Sequence, residues 1–190
     1  MISAIIMASG FSRRMGQDKL KLEINGLKMF QITVNLISNM NFEKKIIITN
    51  DFEIAEYAEM HKIKAIKNPL ASHGKSGSIK TGVLNSKDCA AYMFFVCDQP
   101  LLTKSTVERI IKAYKMAPEF ITVPYYKDSP GSPVIFPAKY KAELLNLNSD
   151  SGGREIIKRN VITKVHIENA DEIIDIDNME DYGRIQNAKK

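Results

Sequence analysis

Short apolar runs alternate with segments of helical spacing along nearly the whole chain, and this rhythm restricts the possible folds more than any other feature. Ile2–Ala8, Lys45–Asn50, Ile63–Ile66 and Tyr92–Cys97 read as buried strands, each a brief apolar run with polar flanks. Between them, Met29–Met40 carries Phe30, Val34 and Ile37 at helical spacing, and Phe52–His61 and Gly77–Leu84 predict two shorter helices. Ser105 and Glu108 have the spacing of a capping box for a helix ending near Met116. Farther on, Phe120–Val123 and Val134–Phe136 read as strands on either side of a loop, Tyr125–Pro133. Helices over Lys139–Leu147 and Arg154–Arg159, strands over Val161–Ile167 and Ile173–Ile176, and a closing helix over Met179–Gln186 complete the pattern. Such repetition joins parallel strands by right-handed crossovers, so the expected fold is a three-layer α/β/α arrangement around a mostly parallel sheet. No linker, internal repeat or low-complexity stretch interrupts the 190 residues, and one domain over 1–190 is expected.

Composition serves mainly to exclude. With 44% hydrophobic and 26% charged residues the chain has the make-up of an ordinary globular protein. No stretch approaches the ~20 apolar residues of a spanning helix. The apolar N-terminus lacks the basic start and the length of a secretion signal. A cytoplasmic protein with no membrane partner is therefore expected. Cys89 and Cys97 make neither a disulfide framework nor a metal motif, and Cys97 closes an apolar run, as a buried residue would. The net charge of +5 suits an anionic small molecule. The lysines are scattered, with no basic tract interleaved with aromatics, so no nucleic-acid partner is expected.

In open α/β sheets ligands bind beyond the carboxyl ends of the strands, and four clusters of polar residues fall there. The first is Met7–Lys19, which follows the run Ile2–Ile6. Gly10 and Gly16 allow close backbone approach, and Arg13, Arg14 and Lys19 put three cations within seven residues, the make-up of a phosphate cradle. It is neither a dinucleotide fingerprint nor a Walker A motif. The second is Asp98, at the end of a strand so apolar that an ionised carboxylate needs a partner there. A divalent cation is one candidate, since Mg²⁺ takes one or two carboxylates together with substrate phosphates; capping of the next element is the other. The third is Asp175-Ile176-Asp177, where alternation along a strand sets both carboxylates on one face. Either can reach a shared cation, while Asp177 or Asn178 can instead cap the closing helix. The fourth is Ser72–Ser78, a glycine- and serine-rich helix start. It is not a P-loop, because Pro69 stands where that motif needs glycine, but its amides can bind an anion or a base edge. His73 reads as a solvated loop residue. Nothing in the sequence supports covalent catalysis.

Taken together, these residues resemble a known family. Ala8-Ser-Gly-Phe-Ser-Arg-Arg-Met-Gly-Gln-Asp-Lys19 resembles the signature loop of the small nucleotidyltransferases that act on the molybdenum cofactor. Cys97-Asp-Gln-Pro-Leu-Leu102 resembles their metal-aspartate strand end, Gly131-Ser-Pro-Val-Ile-Phe136 their Gly-His-Pro-Val-Phe segment, and Asp150-Ser-Gly-Gly-Arg154 a glycine-rich loop. Asp175-Ile-Asp-Asn-Met-Glu-Asp181 resembles their ending, and the matches span the whole chain in order. The resemblance implies a Rossmann-like sheet of the nucleotide-diphospho-sugar transferase type. It implies that Ala8, Ser9, Gly10, Arg13, Arg14, Lys19, Ser76 and Ser78 bind the nucleotide, that Asp98 and Asp177 hold Mg²⁺, and that Arg13, Lys19 and Asp98 form the catalytic set. Ser9 leans by its size towards the cytidylyl-transferring branch, and so does Asp98-Gln99-Pro100. The chain departs from the family at Ser132, where histidine is usual, at Gly77, which interrupts a serine run, and at Asn178-Met179, which replaces Thr-Pro.

The activity expected is Mg²⁺-dependent transfer of CMP from CTP to a phosphorylated pterin, with pyrophosphate released and a molybdoenzyme as a possible recipient of the product. A sugar- or polyol-phosphate acceptor is the alternative within the same chemistry. A non-catalytic module that binds nucleotide or cofactor for delivery is the alternative outside it.

Overall fold

The computed structural model describes residues 1–9, 18–148 and 152–187. The strands are β1 (Ile2–Met7), β2 (Glu23–Ile24), β3 (Leu27–Lys28), β4 (Lys44–Ile48), β5 (Lys64–Ile66), β6 (Ala91–Val96), β7 (Ile121–Tyr126), β8 (Ser129–Pro130), β9 (Val134–Pro137) and β10 (Ile162–His166). The helices are α1 (Met29–Ser38), α2 (Phe52–Met60), α3 (Gly74–Asn85), α4 (Lys104–Met116), α5 (Lys141–Leu145), α6 (Arg154–Arg159) and α7 (Met179–Asn187).

The main sheet runs β10-β7-β9-β6-β1-β4-β5, with β8 paired to β7. β5, β4, β1 and β6 are mutually parallel, and so are β7 and β10. β9 enters antiparallel between β6 and β7, reached from β7 through the tight return at β8. A connection that short cannot cross over to a parallel strand. The carboxyl ends of β1, β4, β5, β6, β7 and β10 therefore share one edge. Strand alternation feeds two cores, one per face. Ala4, Ile6, Ile47, Met93 and Phe95 pack against α1, α2 and α4 through Phe30, Val34, Ile54, Val107 and Ile110. Ile5, Ile46, Ile48, Phe94 and Phe136 face α3, α5 and α6 through Ile79, Val83, Leu144 and Ile156. The three-layer α/β expectation holds.

Two local expectations need correction, and one element is added. Ile173–Ile176 is not a strand: a 3-10 turn over Ala170–Ile173 leads into an extended segment. Its polar groups bond to the turn after β6 instead of to a neighbouring strand. The Ile176 amide donates to the Asp98 carbonyl (2.9 Å), and Gln99 Nε2 donates to the Ile173 carbonyl (3.0 Å). The cap of α4 is Thr103, whose hydroxyl accepts from the Thr106 amide (3.2 Å), so Ser105 lies inside the helix. Asn25-Gly26, both at positive φ, turn β2 into β3 in a small hairpin that the apolar pattern did not register. That hairpin, Ile176 and α7 share a third cluster of Ile24, Met29, Ile176 and Ile185, which carries the 175–177 segment to the sheet edge.

Candidate nucleotide and metal site

Two groups of side chains meet at the carboxyl edge. The first is charged. Lys19, in a one-turn 3-10 helix over Lys19–Lys21 started by Asp18, sends its ammonium between two carboxylates. Nζ lies 2.6 Å from Asp98 Oδ2, 3.1 Å from Asp177 Oδ1 and 3.2 Å from the Ile176 carbonyl. Burial disfavours the ammonium, but Asp98 and Asp177 outweigh it and hold the Lys19 pKa above its ordinary value. Asp175 lies deeper, accepting from Gln99 Nε2 at 2.8 Å. Burial and the Asp98 charge push it up to about 6, against the opposing pull of Gln99 and Lys75.

The helix-cap question at the third cluster resolves by division of labour. Asn178 Oδ1 accepts from the Asp181 amide (2.9 Å) and caps α7. The Asp177 carboxylate is thereby left to Lys19. Asp175 and Asp177, expected on one face of a strand, instead engage different partners, because the segment between Ile173 and α7 is not a strand.

Asp98 Oδ1 is buried and has no hydrogen-bond partner. A buried carboxylate oxygen with spare lone pairs, beside a second carboxylate, is the hard donor set that a divalent cation requires. The residues thus fit such an ion. No group of three or more His, Cys, Asp or Glu side chains among the described residues is arranged to hold a metal, so an ion here would rest on two carboxylates and on oxygens from outside the protein. Burial pushes the Cys97 thiol well up, in keeping with a packing role.

The second group is neutral. Ser9, just past β1, and Ser78, in α3, have hydroxyls 2.7 Å apart. Asn68, following β5 and only 2% exposed, donates through Nδ2 to both, at 2.9 and 3.2 Å. Its Oδ1 accepts from the Thr81 hydroxyl (3.0 Å) and the Leu70 amide (3.1 Å). Its backbone exchanges two further bonds with the Asn50 side chain. Met7 and Val96 form the last register pair of β1 and β6, so the segments bearing Ser9 and Asp98 leave the sheet side by side. Asn68 was missed in the sequence. The Asn68-Pro69 pair signals a turn after a strand, but its role as the tie between two other clusters depends on contacts 59 and 10 residues away.

Of the expected site residues, Ala8 is buried at the end of β1, where its amide donates to the Ile48 carbonyl (2.9 Å). Ser76 is fully buried and donates to the His73 carbonyl (2.9 Å), while His73 is exposed. Gly77 answers a close approach: a Cβ there would stand 2.0 Å from the Leu70 carbonyl oxygen. Gly10, Arg13 and Arg14 lie outside the described residues, as do Gly16 and Asp150.

The mostly parallel sheet with helices on both faces is the fold of solved nucleotidyltransferases, among them one from Methanothermobacter, with a TM-score of 0.81 at 21% identity over 99% of this chain and 97% of that one. The chain belongs to the MobA-like NTP transferase domain family, whose model matches residues 4–165. It is 29% identical over 126 residues to a probable molybdenum cofactor guanylyltransferase of Natranaerobius thermophilus, covering 65% of this chain but only 60% of that relative's length. It is 26% identical over 187 residues to the molybdenum cofactor cytidylyltransferase of Escherichia coli, covering 95% of this chain and 93% of the relative. Among solved structures, Rv0371c of Mycobacterium tuberculosis, in complex with manganese, superposes with a TM-score of 0.81 at 19% identity, covering 98% of each chain. No helix among the described residues is long and apolar enough to cross a membrane.

Proposed function

We propose that this chain transfers CMP from CTP to the terminal phosphate of the pterin of the molybdenum cofactor, with Mg²⁺ and with release of pyrophosphate. The observation that carries the reading is the Lys19–Asp98–Asp177 cluster at the carboxyl edge, with its orphaned carboxylate oxygen. Asp98 and Asp177 would hold the cation, which supplies positive charge to the triphosphate when bound. The preference for CTP over GTP draws on Ser9 and on the cytidylyltransferase relative, whose likeness runs over nearly the whole chain.

The chemistry asks little of the protein beyond placement and charge. An acceptor phosphate oxygen attacks the α-phosphorus, a new P–O bond forms, and the bond to the β-phosphate bridging oxygen breaks with its electrons leaving on pyrophosphate. The nucleophile is already anionic, so no general base is needed, and Arg13 and Lys19 act by neutralising phosphate charge. Ser9 and Ser78, whose hydroxyls are held by Asn68, are assigned to the nucleoside, together with Ala8, Gly10, Arg14 and Ser76.

The test is pyrophosphate release with Mg²⁺ and each of CTP, GTP, ATP and UTP, with and without molybdopterin. Release that is selective for CTP and requires the pterin is the expected result. Release with a sugar or polyol phosphate in place of the pterin would transfer the acceptor assignment. Nucleotide binding without release under every condition would refute transferase activity.

A further inference from the structure

The ammonium of Lys19 occupies the place between Asp98 and Asp177 that a metal bridging them would take. A divalent ion coordinated to oxygen lies at about 2.1 Å from it. On Asp98 Oδ2 and Asp177 Oδ1 such an ion would fall on the ammonium, which contacts those same atoms at 2.6 and 3.1 Å. On the unpartnered Asp98 Oδ1 it would face the ammonium across a single carboxylate, in a pocket where the lysine side chain is 18% and that of Asp98 15% exposed. Screening is weaker on the Asp98 side than on that of Asp177, whose side chain is 57% exposed. The two cations therefore exclude each other in the bridging arrangement and repel each other in the second, so metal binding is weakened by the lysine in both. Lysine is suited to leave, because its charge rides on a four-carbon stem and its donors rotate freely. It leaves readily only if another anion receives it.

We propose that Lys19 is the built-in counter-cation of this acidic pocket, and that the divalent metal displaces it only as the nucleotide's phosphates accept the displaced ammonium. This deepens the nucleotidyltransferase reading and rests on it. Metal and nucleotide then bind with positive coupling. Each raises the affinity of the other by the same factor, because the coupling free energy is shared. Without nucleotide the pocket stays closed by its own lysine, so metal alone is held weakly. Lys19 acts first as a placeholder and then as a phosphate ligand.

The experiment follows Mn²⁺ binding by the electron paramagnetic resonance signal of the free ion, with no turnover required. For the wild-type chain without nucleotide, weak binding is expected. Lys19→Met should tighten Mn²⁺ binding at least about tenfold, within the range of ordinary allosteric couplings. Lys19→Arg, which keeps the charge, should not. Adding Asp98→Asn to Lys19→Met should remove the gain, placing the ion on that carboxylate. A CTP analogue with a methylene bridge between the α- and β-phosphates should bind the wild type more tightly with Mn²⁺ present, and this enhancement should shrink in Lys19→Met. Lys19→Gln provides the same comparison if the methionine variant melts early. Unchanged Mn²⁺ affinity in both neutral variants, while the wild type binds metal and analogue together, would overturn this inference alone. Failure of the wild type to bind the analogue at all would overturn the nucleotide reading as well.

Discussion

Asn68 and Asp98 both follow strands at the same edge of the sheet, and each ties together segments distant in sequence, yet they are left in opposite states. Every polar atom of the Asn68 side chain is paired: two donors on Ser9 and Ser78, one acceptor serving Thr81 and Leu70. Asp98 has one oxygen on Lys19 and the other buried without a partner. A satisfied neutral network costs little to bury and has no reason to rearrange. An unsatisfied carboxylate is expensive to keep and is retained where another ligand completes it. The neutral corner is thus a fixed wall, and the charged corner is where exchange takes place.

This contrast can be broken from either side. The largest effect is expected on the charged side: Asp98→Asn should lower turnover at least about 100-fold. Its melting temperature should stay within about 4 °C of wild type, since Asp177 still pairs with Lys19. The reverse pattern is expected for Asn68→Ala. Four hydrogen bonds are lost, and the Thr81 hydroxyl and the Leu70 amide lose their Asn68 partner, while Ser9 and Ser78 keep each other; urea unfolding should reveal a loss of about 2–4 kcal/mol. Turnover at saturating nucleotide should remain close to wild type at low temperature, with the loss appearing in KM. A large fall in kcat would mean that the two corners are not separable. Gly77→Ala sharpens the same wall by another route. Its methyl would meet the Leu70 carbonyl at 2.0 Å, so the turn after Asn68 must shift at a cost of about 1–3 kcal/mol. The smallest effect is reserved for the start of α4: Thr103→Ala removes the helix cap and the hydroxyl's exposed bond to Glu172 (2.7 Å), and should cost about 1 kcal/mol in chemical denaturation.

Much of the frame was legible because it rests on local pattern. β1, β4 and β6 announce themselves by unbroken apolar runs, and the residues just beyond parallel strands are where ligands gather. Asp98 was found that way. What escaped was set by tertiary partners. Ile173–Ile176 has the composition of a strand, but its hydrogen bonds go to Asp98 and Gln99, and no ladder forms. Ser105 has a capping-box partner in sequence, yet Thr103 reaches the orphan amide first. Asn25-Gly26 is a local turn signal, but the two-residue strands that it joins carry almost no apolar periodicity. Asp177 as against Asn178 could not be decided from spacing, since both are good caps. Only the position of Lys19 separates their roles. Asn68 is the plainest case: nothing in an asparagine before proline foretells a buried hub joining three elements.

The most direct measurement is a Mg²⁺ titration of pyrophosphate release from CTP and molybdopterin, run in parallel on the wild type and Asp98→Asn at a temperature where both are folded. Release should rise with Mg²⁺ in the wild type and remain at background in the variant at every concentration. Recovery of near-wild-type turnover by Asp98→Asn, at any Mg²⁺ concentration, would contradict the assignment of the catalytic centre to this carboxylate.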